Sequence, residues 1–450
     1  MKKIFLFAAA AALFAACSNS DELATAQAPE AVQGEIPVGF EAYAMRSVTR
    51  AGATGDINLD KLKTNGFGVF AYYTDNNDYD QMSTPNFMYN EKVTFESDKW
   101  TYSPIKYWPN EYGSTAMSED YDRVSFFAYA PHVEVTPSTG KLASDAGWGI
   151  AGLSRNSAAG DPLVKYIVSF DKDQQVDLLW GVAGKDENVT WTTKDGGTQT
   201  FLKGFPWLNV QRPAAGTAMK FQFNHALANL NVQVDATVNN FDGSDDVKDG
   251  YTKVFIRSIS FTGFALKGAL NLNNTDGDAA VAKWLSFDGI TEVESGQDIV
   301  IYDGMKDGKE GSNTVASNEK VTGLNPQFVQ NAAWASSAKG VVKAAANLFN
   351  MDNVTDGIYV IPTGEEMKVT IAYDIETKDD KLSTYVSDGA QHGSSIPCTV
   401  TQTISNFKLE NGKKYLLKLH LGLNSVKFDA DVTDWVDQTS SSSEGNLPAN

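Results

Sequence analysis

Thiols, basic clusters and catalytic signatures are all scarce in this sequence, and each shortage excludes something. Only two cysteines, Cys17 and Cys398, occur in 450 residues, too few for a disulfide scaffold. There is no Lys/Arg cluster, and 56 acidic against 37 basic residues leave a formal net charge of -19. Such a surface repels nucleic acid and anionic lipid, so no nucleic acid partner is expected. The four histidines, His132, His225, His392 and His420, are far apart. They lack the i,i+4 spacing and the neighbouring thiols of a zinc site, and His225 and His420 read as structural. No Gly-x-Ser-x-Gly elbow and no phosphate-binding loop occur, and Gly66-Phe67-Gly68 lacks the third glycine of a dinucleotide loop. Carboxylates are plentiful, but no feature picks out a glycosidase pair. The expectation is a protein that is not an enzyme and carries no cofactor or metal.

Long apolar runs are missing too, except at the start. Met1-Lys2-Lys3 is a basic lead, and Ile4 to Ala16 is an apolar segment too short to span a bilayer as a helix. It ends Leu13-Phe14-Ala15-Ala16-Cys17, which resembles a bacterial lipoprotein lipobox, with Phe14 where leucine is usual. That resemblance implies lipidation of Cys17 and cleavage before it, an anchor in the outer membrane that needs no transmembrane helix. Asp21 and Glu22 resemble the acidic export tag of surface lipoproteins in Bacteroides-type bacteria. Cys398 is left alone, as a buried apolar filler.

What the sequence has in quantity is strands. After a tether rich in Ala, Ser, Gln, Glu and Pro, residues Glu35 to Arg50 read as one strand followed by two arginines. Ile36, Val38, Phe40 and Ala42 alternate with Pro37, Gly39, Glu41 and Tyr43, the period of a half-buried strand. Arg50 then meets Ala51-Gly52-Ala53-Thr54-Gly55, a run a protease can enter. From Leu59 onward the sequence is β-like, with Phe67 to Tyr73, Arg123 to Pro131 and Val164 to Phe170 as the clearest strands. A boundary is expected between Lys203 and Thr217, and Met219 to Val234 opens a second β series. Asn331 to Asn350, Ala-rich, is the best helix candidate. Near the end Tyr415 to Leu423 and Val426 to Val432 form a hairpin, with Val426, Phe428, Ala430 and Val432 on one apolar face. Residues Thr439 to Asn450 form a Ser-rich polar tail. The Asp-rich turns Asp242 to Asp249 and Asn273 to Asp278 do not match a calcium loop and read as solvated turns. Trp100, Tyr102, Tyr107 and Trp108 fit either a sugar-stacking platform or core packing.

Taken in order, these segments resemble the fimbrillin family, the type V pilins of Bacteroides-type bacteria. The resemblance rests on the lipobox at Cys17, Val48-Thr49-Arg50-Ala51 after a first strand, and Phe67-Gly68-Val69-Phe70-Ala71-Tyr72. Tyr107-Trp108-Pro109, Val124 to Pro131, Phe223 to Leu230 and Asn411 to Trp435 extend it. It implies an all-β chain of two tandem transthyretin-like Greek-key β-sandwich domains. The division would be 1-16 signal peptide, 17-50 propeptide with a removable first strand, 51-215 N-terminal sandwich, and 216-450 C-terminal sandwich with the tail.

The resemblance also implies a mechanism. An arginine-specific surface protease would cut after Arg50, with Arg46 as second candidate. The strand carrying Ile36, Val38 and Phe40 would leave, and a strand from another pilin subunit would fill its place. A head-to-tail contact of that kind does not close and gives a filament, serving adhesion to a host or bacterial surface ligand. The donor would be Val426, Phe428, Ala430 and Val432, with or without Tyr415 to Leu423. If those strands only complete the second sandwich, the chain would be a tip or anchor subunit. The reading from a different class is a surface glycan-binding lipoprotein.

Overall fold

The computed structural model describes residues 36–44, 57–109, 122–144, 147–170, 174–193, 196–213, 217–236, 252–275, 281–296, 299–303, 357–378, 393–421 and 426–434. It also describes the short strand segments 24–25, 314–315, 319–320, 340–341 and 346–347. In chain order the elements that matter are β1 (Ala24–Thr25), β2 (Phe40–Tyr43), helix α1 (Leu59–Asn65), β3 (Phe67–Tyr73), β4 (Met88–Glu96), β5 (Lys99–Thr101) and β6 (Arg123–Ala130). They continue with β7 (Gly149–Leu153), β8 (Leu163–Ile167), β9 (Leu179–Val182), β10 (Trp207–Gln211), β11 (Met219–His225), β12 (Ala228–Ala236), β13 (Thr252–Thr262) and β14 (Lys267–Asn271). The last are β15 (Lys283–Leu285), β16 (Ile299–Asp303), β17 (Ile358–Pro362), β18 (Glu366–Lys378), β19 (Gly393–Lys408), β20 (Lys413–Leu421) and β21 (Val426–Asp434).

The chain is all-β apart from α1 among the described residues. The first sheet runs β1-β2-β11-β9-β6-β3-β4-β5, with β10 also pairing β6. Its central strands are buried on both faces, which is why β3 and β6 read as unbroken apolar runs. Successive side chains point to opposite faces. Phe67, Val69, Ala71, Val124, Phe126 and Ala128 therefore enter one core. Phe70, Tyr72, Phe127 and Tyr129 enter a second core, which continues into the C-terminal half.

In the C-terminal half β17, β12, β20 and β21 lie side by side, and β16, β13, β18 and β19 form another sheet. The sheet built from β7, β8, β14 and β15 takes strands from both halves, with β8 antiparallel to β14.

Several expectations need correction. Met219 to His225 does not open the second β series. It is β11 of the first sheet, antiparallel to β9 and parallel to β2. A break at 215/216 thus cuts through the strands of one sheet, and the chain changes sheet only between His225 and Ala228. The apolar alternation of β11 fits either sheet, and only long-range pairing decides between them.

Leu59 to Asn65 is a helix, not the start of a β series. Asn58 caps it, accepting from the Lys61 amide at 2.8 Å. Gly66 ends it at a φ of 70°, and a Cβ there would lie 2.5 Å from the Val93 carbonyl oxygen. The expected helix at Asn331 to Asn350 carries instead the strand segments Gly340–Val341 and Ala346–Asn347, its other residues lying outside the described ones. Cys398 is half-buried on β19 rather than a fully buried filler.

Candidate functional site

The site is the seat of residues Ile36 to Ala44. Val38, Phe40, Ala42 and Ala44 are all buried and all enter the same core, as the period-2 pattern requires. Ile36 packs against that core while partly exposed. The strand changes partner half-way along. At its start the Val38 amide donates to the Lys106 carbonyl and the Trp108 amide donates to the Ile36 carbonyl, each at 2.9 Å. Pro37 bridges Tyr107 in the antiparallel sense, so the proline-rich stretch around Tyr107 serves as a short edge partner. Further on, the Met219 amide donates to the Gly39 carbonyl at 2.9 Å, and β2 runs parallel to β11. Phe40 stands opposite Met219, Glu41 opposite Lys220, Ala42 opposite Phe221 and Tyr43 opposite Gln222. On its other side β2 meets β1 through two residue pairs among the described residues.

Phe40 is the anchor. Its ring lies within 6.5 Å, centroid to centroid, of Phe67, Tyr102, Phe126 and Phe221. The Tyr102 hydroxyl donates to the Val38 carbonyl at 2.8 Å and accepts from the Lys106 amide at 3.2 Å, tying the strand to its edge partner. Trp100, Tyr102 and Trp108 are buried and Tyr107 is half-buried, so this aromatic group packs the groove rather than forming an open sugar platform. Glu41 faces outward beside Lys220. Partial burial pushes its carboxyl up from the ordinary value, and the lysine pulls it back.

The chain is fixed again at Ile57, whose amide donates to Asp177 Oδ2 at 2.9 Å. The same oxygen meets His225 Nδ1 at 2.8 Å, giving His225 the structural part expected of it. Arg46 and Arg50 fall between Ala44 and Ile57, outside the described residues, and Cys17 also lies outside them. The turn at Asp242 to Asp249 is outside them as well. Asn273 bonds Asp161 and Thr275 in a polar cluster. Among the described residues no group of three or more His, Cys, Asp or Glu could hold a metal ion.

The hairpin expected near the end is present. β21 pairs antiparallel with β20 over nine residue pairs, and β20 runs parallel to β12. β21 is the edge strand of that sheet. Val426 and Phe428 stand on its backbone, opposite Leu421 and Leu419. Ala430 packs partly against the core, and Val432 is 38% exposed. Ion pairs Lys418–Asp431 and Lys413–Asp434 cross the hairpin at its surface, where such pairs add little.

Both halves of the molecule share one device. In each, an early strand runs parallel to a late one, β2 with β11 and β12 with β20. β21 is the strand appended beyond that arrangement. Sequence reading did not find this symmetry, because parallel pairing leaves no local turn signal.

No protein-family model matches the chain. The Fimbrium subunit Fim1C of Phocaeicola vulgatus is 25% identical over 395 residues, covering 84% of each chain. A crystal structure of a fimbrial protein from Bacteroides vulgatus covers 89% of this chain and 100% of its own, at 21% identity and a TM-score of 0.48. The motif order from Phe67 to Trp435, the all-β fold and a similarity to a fimbrium subunit that runs along most of both chains support a resemblance to the fimbrillin family.

Proposed function

We propose that the chain is a structural subunit of a cell-surface fimbria, assembled by replacing its own first strand. The observation that carries this reading is the seat of residues 36–44. Four side chains fill one socket there, yet the strand joins the rest of the fold only through residues 45–56. A cut after Arg50, or after Arg46, leaves that strand held by noncovalent contacts alone. Its loss would bare Phe67, Tyr102, Phe126 and Phe221 and free the backbone edge of β11. A strand from a neighbouring subunit restores both the hydrogen bonds and the apolar contacts. Export as a lipoprotein on Cys17 would hold the uncut chain at the outer membrane, and an arginine-specific surface protease would release it. The polymer would present its outer face to other surfaces in adhesion.

The donor is β21, the edge strand with a partly exposed apolar face. The nine pairs it makes with β20 favour a second reading, a tip subunit that accepts a strand and keeps its own hairpin closed. Treatment with an arginine-specific protease tests both. A polymerising subunit gives ladders that survive sodium dodecyl sulfate. A tip subunit is cut without forming ladders, and binds β21 supplied by another subunit. Arg50→Ala, combined with Arg46→Ala, abolishes the ladders; a double variant that still polymerises overturns the cleavage step.

A further inference from the structure

We propose that the cavity between β15, the turn after β17 and the turn before β20 is a binding site for a short neutral saccharide. It shares no residue with the seat of residues 36–44, so it stands apart from strand replacement.

The cavity has a volume of about 640 Å³, within the range of small-molecule clefts, about 300–1,000 Å³. Hydrogen bonds fix its walls. Trp284 Nε1 on β15 donates to the Ala226 carbonyl at 2.9 Å, which holds one wall against the point where the chain leaves the first sheet. Asn411, in the turn between β19 and β20, accepts from the Ala282 amide at 3.2 Å and donates to the His225 carbonyl at 3.3 Å. The neighbouring Gly412 amide donates to the Leu227 carbonyl at 2.8 Å. Thr363, after β17, donates through its hydroxyl to the Gly263 carbonyl at 3.1 Å. The walls are therefore set before a ligand arrives, and binding costs little ordering of the protein.

One wall atom lacks what the fold gives the others. Asn274 lines the cavity and is 1% exposed. Its Nδ2 donates to the Gly204 carbonyl at 2.9 Å, whereas its Oδ1 has no hydrogen-bond partner. A buried acceptor left unpaired costs stability, so the ligand that fits brings an N–H or O–H donor. A purely apolar ligand would cover the wall and leave that oxygen unpaired.

Charge narrows the choice of donor. Lys283 and Lys413 line the cavity together with Glu292 and Glu410, two of each sign. A cationic amine would meet the lysines and an anionic sugar would meet the glutamates, whereas a neutral ligand meets neither penalty. Hydroxyl groups also use both kinds of side chain, donating to carboxylates and accepting from ammonium groups. Between the charges the lining is apolar, with Val281, Pro362 and Leu409. A pyranose ring has the matching make-up, hydroxyls around C–H faces. Val281 is 49% exposed, so the apolar part of the lining reaches the surface, where a saccharide on another cell can enter.

Saturation-transfer NMR on the full, uncut chain tests this. The neutral probes are glucose, galactose, mannose, fucose, N-acetylglucosamine and N-acetylgalactosamine; the charged ones are N-acetylneuraminic acid and n-hexylamine. At least one neutral sugar should show transfer, and neither charged probe should. Transfer to a charged probe overturns the choice of a neutral ligand, and transfer to no probe overturns the site. Val281→Trp fills the cavity from its exposed side without touching the bonds that hold the walls, and should weaken binding of the sugar by about tenfold or more. Unchanged affinity in that variant places the sugar elsewhere and overturns the cavity as its site. Asn274→Ala removes the unpaired acceptor and should weaken binding by about tenfold. A folded Asn274→Ala chain, checked by its melting transition, that binds as tightly as the wild type overturns the role of Oδ1. None of these readouts needs a polymer, so their failure is distinct from failure of the strand-replacement reading.

Discussion

Replacing Phe40 by alanine should loosen one strand and leave the remainder of the fold closed. Phe40 is fully buried, and four aromatic rings surround it. Truncating a core phenylalanine costs about 3–5 kcal/mol, from lost transfer energy and the cavity left behind. Every kilocalorie falls on the equilibrium between the seated and the lifted strand, because the socket is otherwise built from residues outside 36–44. At about 1.36 kcal/mol per factor of ten, the lifted population rises by about two to four orders of magnitude. Native-state hydrogen exchange reads this at three amides: Val38, which donates to Lys106, Trp108, which donates to Ile36, and Met219, which donates to Gly39. All three should exchange faster by about that factor in Phe40→Ala. Amides of the β20–β21 hairpin should keep their rates. An equal acceleration in both regions would refute a separately lifting strand, and a change under about tenfold at Met219 would refute Phe40 as its anchor.

Further expectations concern the same seat. Tyr102→Phe removes the hydroxyl that bonds the Val38 carbonyl and the Lys106 amide, and should loosen the strand by about 1 kcal/mol, read by the same exchange measurement. No change at Val38 would show that the hydroxyl is replaced by water. Glu41 gives a pH dependence. Its folded value lies above the ordinary one, so its contribution to seating is full below about pH 4.3 and is lost as pH rises through the raised value. The strand is therefore held less tightly at neutral than at acid pH, and Glu41→Gln should flatten that trend in Met219 exchange. A trend of opposite sign would mean that Lys220, not burial, dominates the carboxylate.

The part of this site that was legible in the sequence is the part set by local periodicity. Val38, Phe40 and Ala42 alternate cleanly, and the structure buries each of them in one core. The closing hairpin was equally plain, since Val426, Phe428, Ala430 and Val432 alternate in sequence just after Tyr415 to Leu423, and β20 and β21 pair antiparallel. The helix at Leu59 was missed because seven residues give no periodic signal; only Asn58 and Gly66, its two caps, mark it. The place of β11 was missed for a different reason. Its partners, β2 and β9, lie far from it in sequence, and the alternation Met219, Phe221, Phe223 would suit any half-buried strand. The same holds for the sheet shared by β8 and β14, which crosses the expected boundary between the two halves.

The central claim is that residues 36–44 are a temporary occupant of their groove. The most direct test is the N-terminal sequence and intact mass of subunits taken from detergent-resistant polymers on the cell surface. The account predicts a chain beginning at Ala51, or at Ser47 if Arg46 is the site cut, with the segment carrying Val38 and Phe40 gone. Polymers whose subunits retain that segment, joined to the remainder of the chain, would contradict it.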